Sequence, residues 1–236
     1  MKKRLLSMLL VLSICNLIFP LPIKADSGSS YIQKLSFFGD STTYGLIHYI
    51  VNNNGEHGVP IVQLKRDQVL VSPDGTFYLR NIPTAQIRYR GKDYALAEGI
   101  RLASPKILIV TVGVNGLPAW TEESLLNYYN RLIDLIRTQS PNTQIVLQSI
   151  FPVARQRDKK LALFTIDKVD QLNRWIENLA KQRSLPYLNT ASVLKGEDGW
   201  LIPSYHNGDG MHLNTAGFNA VLKYIMDHPI QKGSKL

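Results

Sequence analysis

Short apolar runs alternate with longer stretches of 3.6-residue periodicity along this chain, and that alternation sets the first structural expectation. Tyr31 to Phe38 reads as a strand that stops abruptly at Gly39-Asp40-Ser41, after which Tyr44, Leu46, Ile47 and Ile50 fall at helical spacing. Strand, tight turn and helix follow one another there. Lys106 to Val112, bounded by Pro105 and Gly113, is apolar or β-branched at six of seven positions, the pattern of a central strand buried on both faces. Gln144 to Ile150 repeats the pattern, and Leu185 to Leu188 supplies a short last strand. Between them Thr121 opens a helix with Glu122 and Glu123 in its first turn, and Leu125, Tyr129, Leu132, Ile133 and Ile136 form its apolar stripe. Val169, Leu172, Ile176 and Leu179 mark a second such helix, and Phe218, Val221, Leu222 and Ile225 a last one, capped by Asn214 or Thr215.

One region has a different rhythm. After the breaker cluster Asn52-Asn53-Asn54-Gly55, the runs Gln68 to Val71 and Thr76 to Leu79 flank Ser72-Pro73-Asp74-Gly75, whose Pro and Gly positions suit a type I turn. This predicts a β-hairpin insertion over 64–80, with the second core strand following at Ala85 to Tyr89 and a helix at Tyr94 to Leu102.

Strands alternating with helices place the chain in the α/β class: a three-layer α/β/α sandwich with a mainly parallel sheet and right-handed crossovers. In such sheets ligands sit outside the carboxyl ends of the strands, so the turns after Phe38, Val112 and Ile150 are where chemistry is expected. At 236 residues and 44% hydrophobic composition the chain can bury one full core, and a single domain over 31–228 with a C-terminal tail at 229–236 is expected.

The first residues change the picture. Met1-Lys2-Lys3-Arg4 precedes an uncharged run from Leu5 to Phe19, then Pro20, Pro22 and Ile23-Lys24-Ala25, the pattern of a secretory signal over 1–25 cleaved after Ala25. A flexible leader at 26–30 would follow, and the product would be secreted or extracytoplasmic. An uncleaved anchor over Leu5 to Ile23 is the alternative, though Asn16 and two prolines interrupt it. Lipid attachment at Cys15 would put the bulky Ile14 before the modified residue, where such sites take a small one. Cys15 is the sole cysteine, so the exported product can form no disulfide and no thiolate metal site. The formal charge is +9, and subtracting the four charges of Lys2, Lys3, Arg4 and Lys24 leaves +5. That balance suits peripheral contact with an anionic cell surface and is too modest and scattered for nucleic-acid binding.

Three places carry candidate chemistry. Ser41 sits where a strand meets a helix, with its hydroxyl lifted above the sheet and its N–H at a helix N-terminus; capping by Asp40 or Ser41 is the bland alternative. Gly113-Val114-Asn115-Gly116 follows the buried strand and can aim an amide into the same cleft. Asn207-Gly208-Asp209-Gly210-Met211-His212 precedes the last helix, and its aspartate can fix one ring nitrogen of His212 while the other faces a serine. A surface pair or a metal half-site is the competing reading, for which His206 and Asp209 are the sole candidates. The run Arg155, Arg157, Lys159, Lys160 could grip an anion but reads more simply as a solvated loop.

Taken together, Phe38-Gly39-Asp40-Ser41, Gly113-Val114-Asn115 and Asp209-Gly210-Met211-His212 resemble, in order and placement, the blocks of the SGNH or GDSL-type hydrolases over about residues 33–226. The resemblance implies a flavodoxin-like fold and a serine esterase that uses no metal or other cofactor. By that likeness Ser41 attacks, His212 is the base, Asp209 orients it, and the Ser41 N–H and Asn115 hold the oxyanion, with Gly91 as the positional candidate for a further donor. The chain departs from the family in having Gly116 where an Asp is usual, which implies a changed loop, and Arg90-Gly91-Lys92-Asp93 matches the family's second block poorly. Exported enzymes resembling this family commonly remove acyl groups from carbohydrates or cleave lipid esters. The absence of a long apolar lid and the charged residues Lys65, Arg66, Asp67 and Asp74 favour an acylated polysaccharide. Lipid or aryl ester hydrolysis, glycan O-acyl transfer and a catalytically silent glycan-binding module are the alternatives; the oligomeric state is not indicated.

Overall fold

The computed structural model describes residues 28–53, 64–155 and 163–230. The signal-like segment, most of the basic run after Arg155 and the last six residues lie outside them.

The elements run α1 (Gly28–Ile32), β1 (Leu35–Gly39), α2 (Ser41–Asn53), β2 (Val69–Val71), β3 (Gln86–Tyr89), β4 (Lys92–Ala95), α3 (Leu96–Ala103), β5 (Ile107–Thr111), α4 (Glu122–Gln139), β6 (Gln144–Gln148), α5 (Ile166–Gln182), β7 (Tyr187–Leu188) and α6 (Thr215–Asp227). They build one seven-stranded sheet of order β4-β3-β2-β1-β5-β6-β7. The five strands β2, β1, β5, β6 and β7 are parallel, and β3 and β4 extend the sheet antiparallel at one edge. Numbered among themselves, the parallel strands follow the order 2-1-3-4-5 of a flavodoxin-like sheet, with β5 at their centre.

Side-chain alternation explains the two layers. Phe38, Leu70, Leu108 and Val110 face the stripes of α3, α4 and α5, while Phe37, Val69, Val71, Ile107 and Ile109 face α2 and α6. Every residue of β5 is buried. Thr121 caps α4 by accepting from the Ser124 N–H at 3.2 Å, and Asn214 caps α6 by accepting from Gly217 at 3.1 Å.

Three expectations are corrected. No hairpin forms over 64–80. Val69–Val71 is instead the second core strand, paired parallel to β1, and a strand so short and uniformly apolar carries no alternation from which its partner could be read. The Ser72–Gly75 turn does form, with Gly75 N–H donating to the Ser72 carbonyl at 3.0 Å, but Phe77 then packs edge-on against Phe38 and Leu79–Asn81 makes a short 3-10 turn. The hairpin lies later, at β3 and β4, around Arg90 and Gly91, whose φ values of 49° and 76° make a primed two-residue turn. Arg88 and Asp93, opposite each other in that register, form a two-bond pair at 2.7 and 2.9 Å. Consequently Ala85 to Tyr89 is an antiparallel strand, and the helix starts at Leu96. At the N-terminal side, Gly28–Ile32 is helical where a leader and the start of a strand were expected, and β1 begins only at Leu35.

Candidate active site

The reversal of strand order falls between β1 and β5, and the turns leaving these strands carry Ser41 and Asn115. Gly39, the last residue of β1, is held close: a Cβ there would lie 1.9 Å from the Thr43 hydroxyl and 2.5 Å from the Thr111 carbonyl, so only glycine lets the turn sit against β5. Ser41 is the first residue of α2, and its N–H therefore has no partner within the helix.

Asp40, and not Ser41, takes the capping role. Its Oδ1 accepts from the Thr42 N–H at 3.1 Å and the Thr42 hydroxyl at 2.8 Å, and its Oδ2 accepts from Gly113 N–H at 3.3 Å. One buried carboxylate thus caps α2 and ties the loop of Ser41 to the loop of Asn115. Burial pushes its pKa up to about 6, against the lowering effect of the Thr42 and Gly113 bonds and of the His212 charge.

Ser41 Oγ faces His212. The Nε2 of His212 is 3.0 Å from Ser41 Oγ, and its Nδ1 is 2.6 Å from Asp209 Oδ2. The other oxygen of Asp209 accepts from the backbone N–H of Met211 at 2.8 Å and of His212 at 2.9 Å. Burial raises the Asp209 pKa, but the hydrogen bonds from His212 and Met211 and the His212 charge outweigh it and hold the carboxyl below its usual range. An anionic Asp209 keeps the proton on Nδ1 and leaves the Nε2 lone pair toward the serine.

The supporting loop is braced from outside. His206 Nδ1 accepts from the N–H groups of Gly208 at 3.0 Å and Gly210 at 3.2 Å, which commits that lone pair to the loop. The turn after β6, where chemistry was expected, contributes a strut instead: Ala154 N–H donates to the Gly210 carbonyl at 2.8 Å.

Asn115 donates one amide N–H to the Phe77 carbonyl at 3.0 Å, and its second N–H has no protein partner among the described residues. Gly116 adopts a left-handed φ of 104°, and a Cβ there would touch the Trp120 ring at 3.1 Å. An aspartate would be strained at this point, which accounts for the glycine in place of the usual residue. Ser41 and His212 open onto a cavity of about 440 Å3, walled mainly by apolar groups of Tyr44, Leu213 and Phe218, with Asp74 and Thr76 at one side.

A family model, the GDSL-like lipase/acylhydrolase family, matches residues 37–220. The chain belongs to this family. As a GDSL-like acylhydrolase it is placed among enzymes that cleave ester bonds. Among curated proteins none matches the sequence. Several solved structures share the fold at low identity. A GDSL-like lipase from Bacteroides thetaiotaomicron is 20% identical, over 82% of this chain and 86% of that one, with a TM-score of 0.54. A protein from Streptococcus pneumonia named for platelet activating factor is 18% identical, over 85% and 90%, with a TM-score of 0.57. A catalytic mutant of an acetylxylan esterase from Geobacillus stearothermophilus is 14% identical, over 84% and 94%, with a TM-score of 0.50.

Within this GDSL-like fold one expected site residue is displaced. Because β3 runs antiparallel to β2, the turn holding Gly91 lies at the amino ends of the parallel strands, where Arg90 comes within 3.8 Å of Asp67. Gly91 is therefore at the opposite end of the sheet from Ser41 and cannot donate to an oxyanion there. The mistaken assignment followed from taking β3 for the second parallel strand. The capping of α2 by Asp40 matches one of the sequence readings, whereas its bond to Gly113, the Phe77 carbonyl and the bracing by His206 have no counterpart there. The position of Asp40 directly before Ser41 and after an apolar run was the one available signal.

The raised pKa of Asp40 has a measurable sign. With a folded value of about 6 and an unfolded value of about 3.9, the native state holds more protons between them, so this group's contribution to stability is full below pH 4 and falls as pH rises through 6. Asp74, pulled down to about 2 chiefly by its bonds with Thr76, and Asp209 act in the opposite sense at lower pH. Comparison with Asp40→Asn removes their contribution. Urea titrations should show wild type losing about 2–3 kcal/mol relative to that variant between pH 4 and pH 6.5. A constant difference across this range would mean that Asp40 titrates normally.

Proposed function

We propose that this GDSL-like protein is an exported serine esterase that removes acetyl or other acyl groups from an extracellular or cell-envelope polysaccharide. The observation that carries the chemical part is the relay from Asp209 through His212 to Ser41, with contacts of 2.6 and 3.0 Å at the carboxyl end of the sheet.

In this reading His212 Nε2 takes the Ser41 proton as Oγ attacks the ester carbonyl, and Asp209 stabilises the imidazolium without receiving the proton. The Ser41 N–H and the second N–H of Asn115 hold the oxyanion. His212 then protonates the departing alkoxide, leaving an acyl group on Ser41. Water, deprotonated by the same nitrogen, releases the acid and restores the enzyme. No step calls on a metal.

Export is supported by the pattern of residues 1–25, and the polysaccharide by the charged residues Lys65, Arg66, Asp67 and Asp74 on and before the Ser72–Gly75 turn. A second reading, hydrolysis of lipid or aryl esters, is favoured by the apolar wall that Tyr44, Leu213 and Phe218 give the Ser41 cavity. One experiment separates them. Protein recovered outside the producing cell should begin at Asp26 and release acetate from O-acetylated wall or exopolysaccharide in the presence of EDTA, as read by mass spectrometry. Activity confined to long-chain or aryl esters would favour the second reading, and a chain starting at Met1 in the membrane would replace export by anchoring.

A further inference from the structure

A second cavity, of about 330 Å3, adjoins the first across the Ser72–Thr76 turn, and Asp74 and Thr76 line both. It also lies at the carboxyl end of the sheet: Val71, the last residue of β2, pairs with Arg88, so Gln86 projects past it on the side of Ser41. Its volume is at the lower end of the range of about 300–1,000 Å3 usual for ligand sites.

The two chambers differ in chemistry. Where the Ser41 cavity is mainly apolar, this one is mixed and more polar, with Ser72, Asn81, Thr84 and Gln86 set among Phe77 and Tyr78 on its walls. The Ser72 and Thr76 hydroxyls are committed to Asp74, at 2.8 and 2.6 Å. The side-chain amides of Asn81 and Gln86 are exposed and make no hydrogen bond among the described residues. Each offers two donors and an acceptor. Arg80 lies over the Tyr78 ring, 4.7 Å from its centroid, and steadies that wall.

Resting on the polysaccharide reading above, we infer that this second cavity is a glycan subsite, which holds an uncharged sugar next to the one whose ester reaches Ser41. Hydroxyl groups match the amides of Asn81 and Gln86, and the apolar surface of Phe77 and Tyr78 suits the carbon face of a sugar ring. The carboxylate of Asp74 in the shared wall stays ionised at any working pH and disfavours uronate or phosphate-bearing units. An extended chain can then lie across the ridge, with its acyl group in the apolar chamber and a neighbouring ring in the polar one. Contacts to that remote ring tighten the hold on the substrate as a whole.

The test uses the intact protein, an aryl acetate, and O-acetylated neutral oligosaccharides of one to four sugars. In wild type kcat/KM should rise about tenfold from one sugar to two or three, the gain expected from one or two good hydrogen bonds. The Asn81→Ala, Gln86→Ala double variant should lose that gain through KM while cleaving the aryl acetate at the wild-type rate, which also reports that it is folded. Oligosaccharides cleaved with no dependence on length, or a double variant unchanged on every substrate, would overturn the subsite while leaving the polysaccharide reading in place. Cleavage of the aryl acetate with no oligosaccharide deacetylated would overturn both.

Discussion

Treatment with an organophosphonate ester labels Ser41 alone among the serines of the chain, and Ser41→Ala lowers ester hydrolysis by at least about four orders of magnitude, since losing a serine nucleophile costs related chemistry up to about a millionfold. The expectation rests on the 3.0 Å contact between Ser41 Oγ and His212 Nε2. A serine hydroxyl is a poor nucleophile at neutral pH unless a neutral imidazole takes its proton. Labelling should therefore vanish in His212→Ala. In Asp209→Asn it should slow without disappearing, because an amide at this position can present the wrong group to Nδ1 and favour the unproductive tautomer. Folded protein left unlabelled at Ser41, or labelled as fast without His212, would remove the basis for an enzyme and favour a silent glycan-binding module.

Asn115→Ala is expected to lower kcat by about two to three orders of magnitude with KM nearly unchanged, the usual cost of one oxyanion donor. In the proposed mechanism its second N–H meets charge that develops only in the transition state, so ground-state binding should barely register the loss. Stability should fall far less. The variant gives up the bond to the Phe77 carbonyl, worth about 0.5–1.5 kcal/mol, and this small shift in a denaturant titration shows that the kinetic effect is not unfolding. An unchanged kcat with the same small loss of stability would reduce Asn115 to a brace between two loops.

How much of this was legible beforehand depended on where the information resides. The fully buried β5 could be read as a long unbroken apolar run between Pro105 and Gly113, and the stripes of α4, α5 and α6 because burial of one helix face imposes a local period. Asp209 and His212 could be read as a pair because they are three residues apart in one loop. The second core strand could not. Val69–Val71 is three apolar residues with no period, and its pairing with β1 instead of with residues 76–79 is decided by tertiary packing. Likewise β4, Lys92–Ala95, is a largely exposed edge strand with few residues of high β propensity, so the hairpin that carries Gly91 away from the site had little local signature. The clamp of Asp40 on Gly113 spans 73 residues, beyond the reach of any local pattern.

In the proposed mechanism the separation of Ser41 from His212 along the chain sets the timing of reactivity. The serine stands near the beginning of the described chain, and the histidine follows 171 residues later, just ahead of α6. A chain made from its amino end therefore exposes Ser41 long before His212 arrives. Until α6 docks beside α2, Ser41 is an ordinary alcohol. In that mechanism a later segment arms an earlier one, and a chain that stops short of His212 cannot attack the esters around it.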